Sequence, residues 1–287
     1  MNRLATAKEL LVKTFANWSE DNVPRLAAAF SFYAVLSIAP VLVLAVTAAS
    51  AFLAQDEARN HLLDSVGKFV GSKEVKGLVA ELIAKTQKPG TGTIATIISF
   101  FVTFFSASNL FLQLQSTVNT IWDIKQSGSM LRNFIMTRLL AFAAVVVFGG
   151  LLLGWLGLDA WLSWLTRHTG GFNGWPLVSL LVSAIFFTGA LGVAYRGMPK
   201  GRVKWRDVWA GAAIAGTGIA LSKLIFSAYF AYANISAAYG AAGSLIVLLL
   251  WIYYTSQIFF FGLEVTYTYA KEFGSHRGHN PGDLEYS

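Results

Sequence analysis

Apolar residues fall in six long runs, separated by charged or tryptophan-rich stretches. About 20 consecutive apolar residues cross a bilayer as a helix. The runs predict spans at 26–54, 93–114, 138–158, 176–195, 207–230 and 241–266. The last is the cleanest. From Ala241 to Leu263 it carries no charge; it follows Tyr239-Gly240-Ala241-Ala242-Gly243 and ends near Glu264. The first carries Pro40 near its middle, which removes a backbone hydrogen bond and predicts a kink. Ala27, Ser31, Ala34 and Ser37 fill its first half and permit close helix contact.

Between the runs the pattern is amphipathic. In residues 1–24, Leu4, Ala7, Leu11, Thr14, Phe15 and Trp18 recur at helical spacing. They predict a cytoplasmic helix on the membrane surface. Asp21-Asn22-Val23-Pro24 then turns the chain into the bilayer. In the 55–92 connection, Val75, Leu78, Val79, Leu82 and Ile83 make one apolar face, with Glu81 and Lys85 paired on the wet side. Leu62, Val66, Phe69 and Val70 predict a second such helix before it. This outer pair reads as a solvated lid or a gate. The 271–287 tail is polar and Gly-rich, and predicts mobility. The fold class is thus all-α: a polytopic membrane helix bundle over 25–270, with six transmembrane helices and amphipathic helices in the 55–92 connection.

Composition agrees. Charged residues make up 13% of the 287 positions, against about 25% in soluble domains, and mean hydropathy is +0.55. The net charge of +7 fits loop enrichment in Lys and Arg better than a nucleic-acid surface. Counted by side, fourteen Lys and Arg fall with the termini and seven opposite, outside the lone Lys223. That bias predicts both termini in the cytoplasm. With no cysteine, disulfides and thiol chemistry are excluded. The first apolar run is about twice as long as a signal peptide's apolar core, so it is expected to stay as a span.

Asp21 followed by AAAFSFYAVLSIAP, Asn119-Thr120-Ile121-Trp122, and the segment from Tyr239-Gly240 through Trp251-Ile252-Tyr253-Tyr254 to Gly262-Leu263-Glu264 resemble the YihY/BrkB family. The likeness covers about residues 15–272. It implies a six-span bacterial inner-membrane protein of the cell envelope, of a group once labelled ribonuclease BN. It also implies a link to moving lipids or other solutes.

Few residues could carry chemistry. Thr96, Ser99, Thr103, Ser106 and Gln113 share one side of the second span, with Asn109 beside them; such a stripe faces protein or water rather than lipid. Tyr253, Gln257 and Glu264 form a second stripe. Glu264 either faces the bundle interior or pairs at the inner interface with Arg202 or Arg206. Lys223 sits inside the fifth run, roughly 15 Å from Glu264 in depth at 1.5 Å per residue. It either snorkels outward or attracts a phosphate or other anion. Together these residues predict a polar cavity. Arg196, Lys200, Arg202, Lys204 and Arg206 mark topology and could hold anionic headgroups. Gly150, Gly154 and Gly157 predict a close-packing face, as do Gly211, Ala215, Gly218 and Ser222.

His61, His168, His276 and His279 form no metal or catalytic motif. No metal, cofactor, nuclease or other catalytic activity is expected. The expected partners are membrane lipids, and further copies of the chain or envelope proteins, but not nucleic acid. The expected function is a transporter or flippase-like facilitator of a lipid or other amphipathic anion. The alternative is a non-transporting scaffold for envelope assembly.

Overall fold

At Asn22 the N-terminal helix stops and the first span begins. Its φ of 52° is left-handed, a conformation that Asn tolerates better than most residues. The Asn22 N–H donates to the Ser19 carbonyl at 3.2 Å, which closes α1 (Arg3–Glu20). The Asn22 carbonyl accepts from the Arg25 and Leu26 N–H groups and so opens α2 (Val23–Ala49). Pro24 sits in that first turn, where a missing N–H costs nothing.

The structure is a computed structural model. It describes residues 3–49, 59–60, 62–64, 72–86, 109–124, 150–151, 154–155, 157–158, 161–162, 164–166, 174–199, 203–232, 239 and 242–275; for 3–7, 39–49 and several others, Lys223 among them, it describes the backbone alone. After α2 come α3 (Lys73–Thr86), α4 (109–121), α5 (Trp175–Gly197), α6 (Trp205–Tyr232) and α7 (Gly243–Glu272). No strand occurs among the described residues. The bundle is all-helical, as the sequence pattern predicts.

Three of these helices hold stretches long and apolar enough to cross a membrane: Leu177–Gly197, Trp205–Phe226 and Gly243–Glu272. Their outer faces carry large apolar side chains with nothing over them. Ile185 is 72% exposed and Ile225 66%, with Leu181, Leu224 and Leu249 also exposed. Contiguous apolar faces of this kind suit lipid, not water. The expected span at 138–158 lies mostly outside the described residues.

Two apolar clusters hold the bundle. The outer one joins Val75, Val79 and Ile83 of α3 to Leu62, Leu63, Val247, Leu248 and Ile252, with Ala34, Val35 and Ile38 of α2 against it. The expected amphipathic face of α3 is therefore the face that packs. Lys76 holds Asp64 at 2.5 Å on the wet side. Val66, Phe69 and Val70, and the Lys85 side chain, lie outside the described residues. The inner cluster gathers Val23 and Ala27 of α2, Val118, Ile121 and Trp122, Tyr195 of α5, Val208, Ala212 and Ala215 of α6, and Phe260, Leu263 and Tyr267 of α7.

Close approach sets where α6 meets its neighbours. A methyl group built on Gly211 would overlap the Gly262 carbonyl and the Thr266 hydroxyl of α7. One built on Gly216 would lie 2.6 Å from the Thr188 nitrogen of α5. The small-residue face of the fifth run is thus a helix–helix contact, and Ser222 on it is buried. Ser31 and Ser37 of α2 are buried in the same way.

Among the described residues, Gly150 and Gly157 have nothing within 4 Å of a built Cβ, and Gly154 meets only Phe186 at 3.9 Å. No described helix lies across that face, and most of its run lies outside the described residues. The second run does not end at Leu114; α4 continues to residue 121, since Gln115, Thr117 and Val118 are buried on the bundle side. Helical backbone also continues through Pro40. Finally, the tail does not loosen at Lys271. α7 reaches Glu272, and Asp207 at the start of α6 accepts from the Ser275 N–H at 3.3 Å and from its hydroxyl. Asp207 is 1% exposed and also sits favourably at a helix N-terminus.

Candidate functional site

The inner end of α7 is read one turn at a time by α1. The two helices meet antiparallel, with partners spaced four residues apart on each. Lys13 Nζ donates to Glu272 Oε2 at 2.8 Å. One turn on, Asn17 Nδ2 donates to Thr268 Oγ1 at 3.1 Å. Continued one turn further, the register of these two hydrogen bonds brings Asp21 level with Glu264, and each carboxyl acts on the other. Spacing of i, i+4 puts residues on one helix face, which is why 13, 17 and 21 can meet 272, 268 and 264 in register.

The outermost rung is wet and complementary. Glu272 and Glu9 together hold the Lys13 ammonium above its ordinary range. The innermost rung is dry and not complementary. Glu264 is fully buried, and neither of its carboxyl oxygens has a hydrogen-bond partner. Burial raises the half-buried Asp21 carboxyl above the usual carboxylate range; contact with Glu264 and the Lys271 charge pull it down, while Asp123 and Glu20 push it up.

Asp123 comes from the end of α4 and is placed by helix termination. Its φ of 53° is left-handed. The Ile124 N–H donates to the Asn119 carbonyl at 2.9 Å and the Asp123 N–H to the Thr120 carbonyl at 3.1 Å, a complete Schellman closure. Asp123 Oδ2 then accepts from the Tyr267 hydroxyl at 2.6 Å, and that hydroxyl accepts from Lys271 Nζ at 3.0 Å. Trp122 meets the Tyr267 ring edge-on at 5.7 Å. One turn deeper on α4, the buried Asn119 Oδ1 has no partner.

The floor of the site is rigid. The Tyr195 hydroxyl of α5 donates to the Phe259 carbonyl of α7 at 2.6 Å. A methyl group on Gly262 would lie 2.6 Å from the same hydroxyl. α5 is therefore locked to α7 beside Glu264.

Of the residues expected to line a cavity, Glu264 is the one that the structure surrounds with other ionisable groups. Tyr253 and Gln257 are half-buried on the same helix, with Tyr253 packed beside the inner cluster. Asn109 is exposed and Gln113 half-buried. Ser99 and Ser106, and the Lys223 side chain, lie outside the described residues. Of the two alternatives for Glu264, the described residues show it facing the interior, with no partner from Arg206. Arg206 is exposed, and the groups around Glu264 are acids; Arg202 lies outside the described residues.

In the basic stretch, Arg196 lies over the Trp205 ring at 4.5 Å, and Lys204 is exposed. Lys200, and the four histidines, lie outside the described residues. Among the described residues, no three His, Asp or Glu side chains converge as metal ligands do. Sequence reasoning missed Asp123, Asn119, Tyr267 and the α1 ladder. The four-residue spacing of 13, 17, 21 and of 264, 268, 272 was the available signal.

Comparisons with known proteins give the family. Residues 14–285 match the family described as virulence factor BrkB. Curated relatives include the UPF0761 membrane protein Nmul_A0452 of Nitrosospira multiformis, 26% identical over 82% of this chain and 54% of its own. The UPF0761 membrane protein of Albidiferax ferrireducens is 26% identical over 92% of this chain and 64% of its own. That of Delftia acidovorans is 27% identical over 86% and 58%. The chain thus spans between about half and two thirds of these relatives' lengths. No solved structure matches. With its apolar helices and a match running almost from end to end, the chain is a membrane protein and belongs to the BrkB family.

Proposed function

We propose that the protein is a transporter or flippase-like facilitator of a lipid or another amphipathic anion. In this reading it sits in the bacterial inner membrane with both termini in the cytoplasm. One observation carries the reading: Glu264, an ionisable side chain, is fully buried within a helix apolar enough to span. Such residues are expensive in a membrane and commonly mark a substrate or ion pathway. The exposed Arg196, Lys204 and Arg206, with the exposed Trp205 and Trp209, support headgroup contact at the start of α6. The protein is not an enzyme in this reading, and it takes no cofactor and no nucleic acid.

The test is reconstitution in liposomes with headgroup-labelled lipid, comparing leaflet exchange with and without protein. Exchange that rises with protein and falls in Glu264→Ala, Gln257→Ala or Lys223→Ala supports the reading. Exchange equal to that of protein-free vesicles, from folded protein, sinks it.

A second reading, a non-transporting scaffold, is favoured by the glycine contacts of α6 with α5 and α7, which leave those helices little room to move. Its partners are further copies of the chain or envelope proteins, with the exposed Gly150, Gly154 and Gly157 as an open face. A purified, nuclease-free preparation should leave RNA intact.

A further inference from the structure

We propose that the third rung of the α1–α7 ladder, Asp21 against Glu264, holds one exchangeable proton between its two carboxyl groups, and that the ion this protein binds is that proton. This deepens the transport reading and rests on it only for its purpose; the site itself is argued from the ladder.

The first two rungs each set a donor against an acceptor, Lys13 on Glu272 and Asn17 on Thr268. The third keeps the register but sets acceptor against acceptor. Ionised carboxylates accept and cannot donate. Two of them facing each other, one fully buried, repel and leave lone pairs unfilled, the arrangement that a buried polar group avoids. One proton turns this contact into an O–H···O bond, with no change in backbone register. Like-charged carboxyl groups that share a site commonly share a proton in this way.

Among the described residues, the neighbours supply no other partner. From α4, Asp123 is already engaged by Tyr267, and Asn119 presents an unpartnered acceptor, Oδ1. On α7 itself, Tyr267 donates to Asp123, and Lys271 to Tyr267. From α5, Tyr195 donates to the Phe259 carbonyl. From α2, Val23 and Ala27 are apolar, and Arg25 is exposed. From α6, Gly211 and Ala215 carry no charge, and Asp207 is held by Ser275. Glu20, the other acid near Asp21, is exposed. Among the described residues, no three His, Asp or Glu converge here as metal ligands do. A proton needs only the two oxygens that face each other. Glu264 closes the buried side of the pair, and the half-buried Asp21 opens it to the aqueous side, so the proton has a way out.

Infrared difference spectroscopy of the protein in liposomes reads this directly, through the C=O stretch of a protonated carboxyl group. The expected result is a band that titrates away in one step as pH rises, is missing in Glu264→Gln and shifts in Asp21→Asn. Asp123→Asn should keep the band and move its titration. If Glu264→Gln does not fold, Asp21→Asn, on a half-buried turn, decides alone. The proposal is overturned if the native protein shows no such band, if the band is unchanged in Asp21→Asn, or if replacing sodium by choline alters it as pH does. The leaflet-exchange assay is run on the same vesicles. A band that behaves as expected without lipid exchange keeps the proton site and removes the transport reading. Exchange without the band does the reverse.

Discussion

The two ends of α7 are buried by different chemistry. At the outer end, Val247, Leu248 and Ile252 pack on Val75, Val79 and Ile83, with the exposed Lys76–Asp64 ion pair beside them. At the inner end, helices cross on glycine, and hydroxyl, amide and carboxyl groups fill the space above the crossing. An apolar contact is non-directional and tolerates small shifts of register. A ladder of donors and acceptors does not. The outer contact therefore tolerates small shifts of register, while the inner end fixes where α1, α4 and α7 stand.

The largest effect should come from the crossing. Gly211→Leu places side-chain carbon against the Gly262 carbonyl, which cannot yield. A cost of at least about 3 kcal/mol is expected, read as loss of the folded peak in detergent size-exclusion. A folded, native-like variant would show that the crossing is loose. At the outer end, Ile83→Ala removes a fully buried side chain and should cost about 2–5 kcal/mol. Thermal melting should show that cost to be the same across pH and salt. A pH-dependent cost would place ionisable groups in what is described here as an apolar core.

Tyr267→Phe removes the hydroxyl shared by Asp123 and Lys271 and should cost about 2 kcal/mol. The comparison sharpens if that cost, unlike that of Ile83→Ala, varies with pH. Asp21 gives the sign of such a variation. Burial raises its carboxyl, so the folded chain keeps that proton to higher pH than the unfolded chain. Between the ordinary value near 3.8 and the raised one, stability falls as pH rises. Asp21→Asn should flatten that fall in a melting series; an unchanged slope would assign it elsewhere. The smallest effect belongs to Lys13→Ala, at the exposed rung. Its loss should be detectable at low salt and vanish at high salt.

What the sequence displays is periodicity. The α3 face, the small residues of α2 and the Gly211–Ser222 face each repeat at helical spacing, and each turns up as a packed surface. For Gly150 and Gly154 the same reasoning states what could approach, and most of that run lies outside the described residues. For Glu264, charge complementarity suggested a basic loop as one of two alternatives, whereas the described neighbours are Asp21 and Asp123, 243 and 141 residues away in the chain. Pairings between helices are set by register across the bundle, and a single helix carries no mark of it. The left-handed turns at Asn22 and Asp123 are equally silent, since Asn and Asp are common in loops that do nothing of the kind.

The ladder also fixes an order of assembly. Asn17 and Thr268 are 251 residues apart in the chain. At about 5–20 residues per second, synthesis takes about 13–50 s to reach the partner of a helix already made. Until then α1 has no α7 to bind. Its Leu11, Val12 and Phe15 face away from that contact, and Phe15 is 61% exposed in the finished fold. Docking of α1 on α7 therefore follows the synthesis of everything between them.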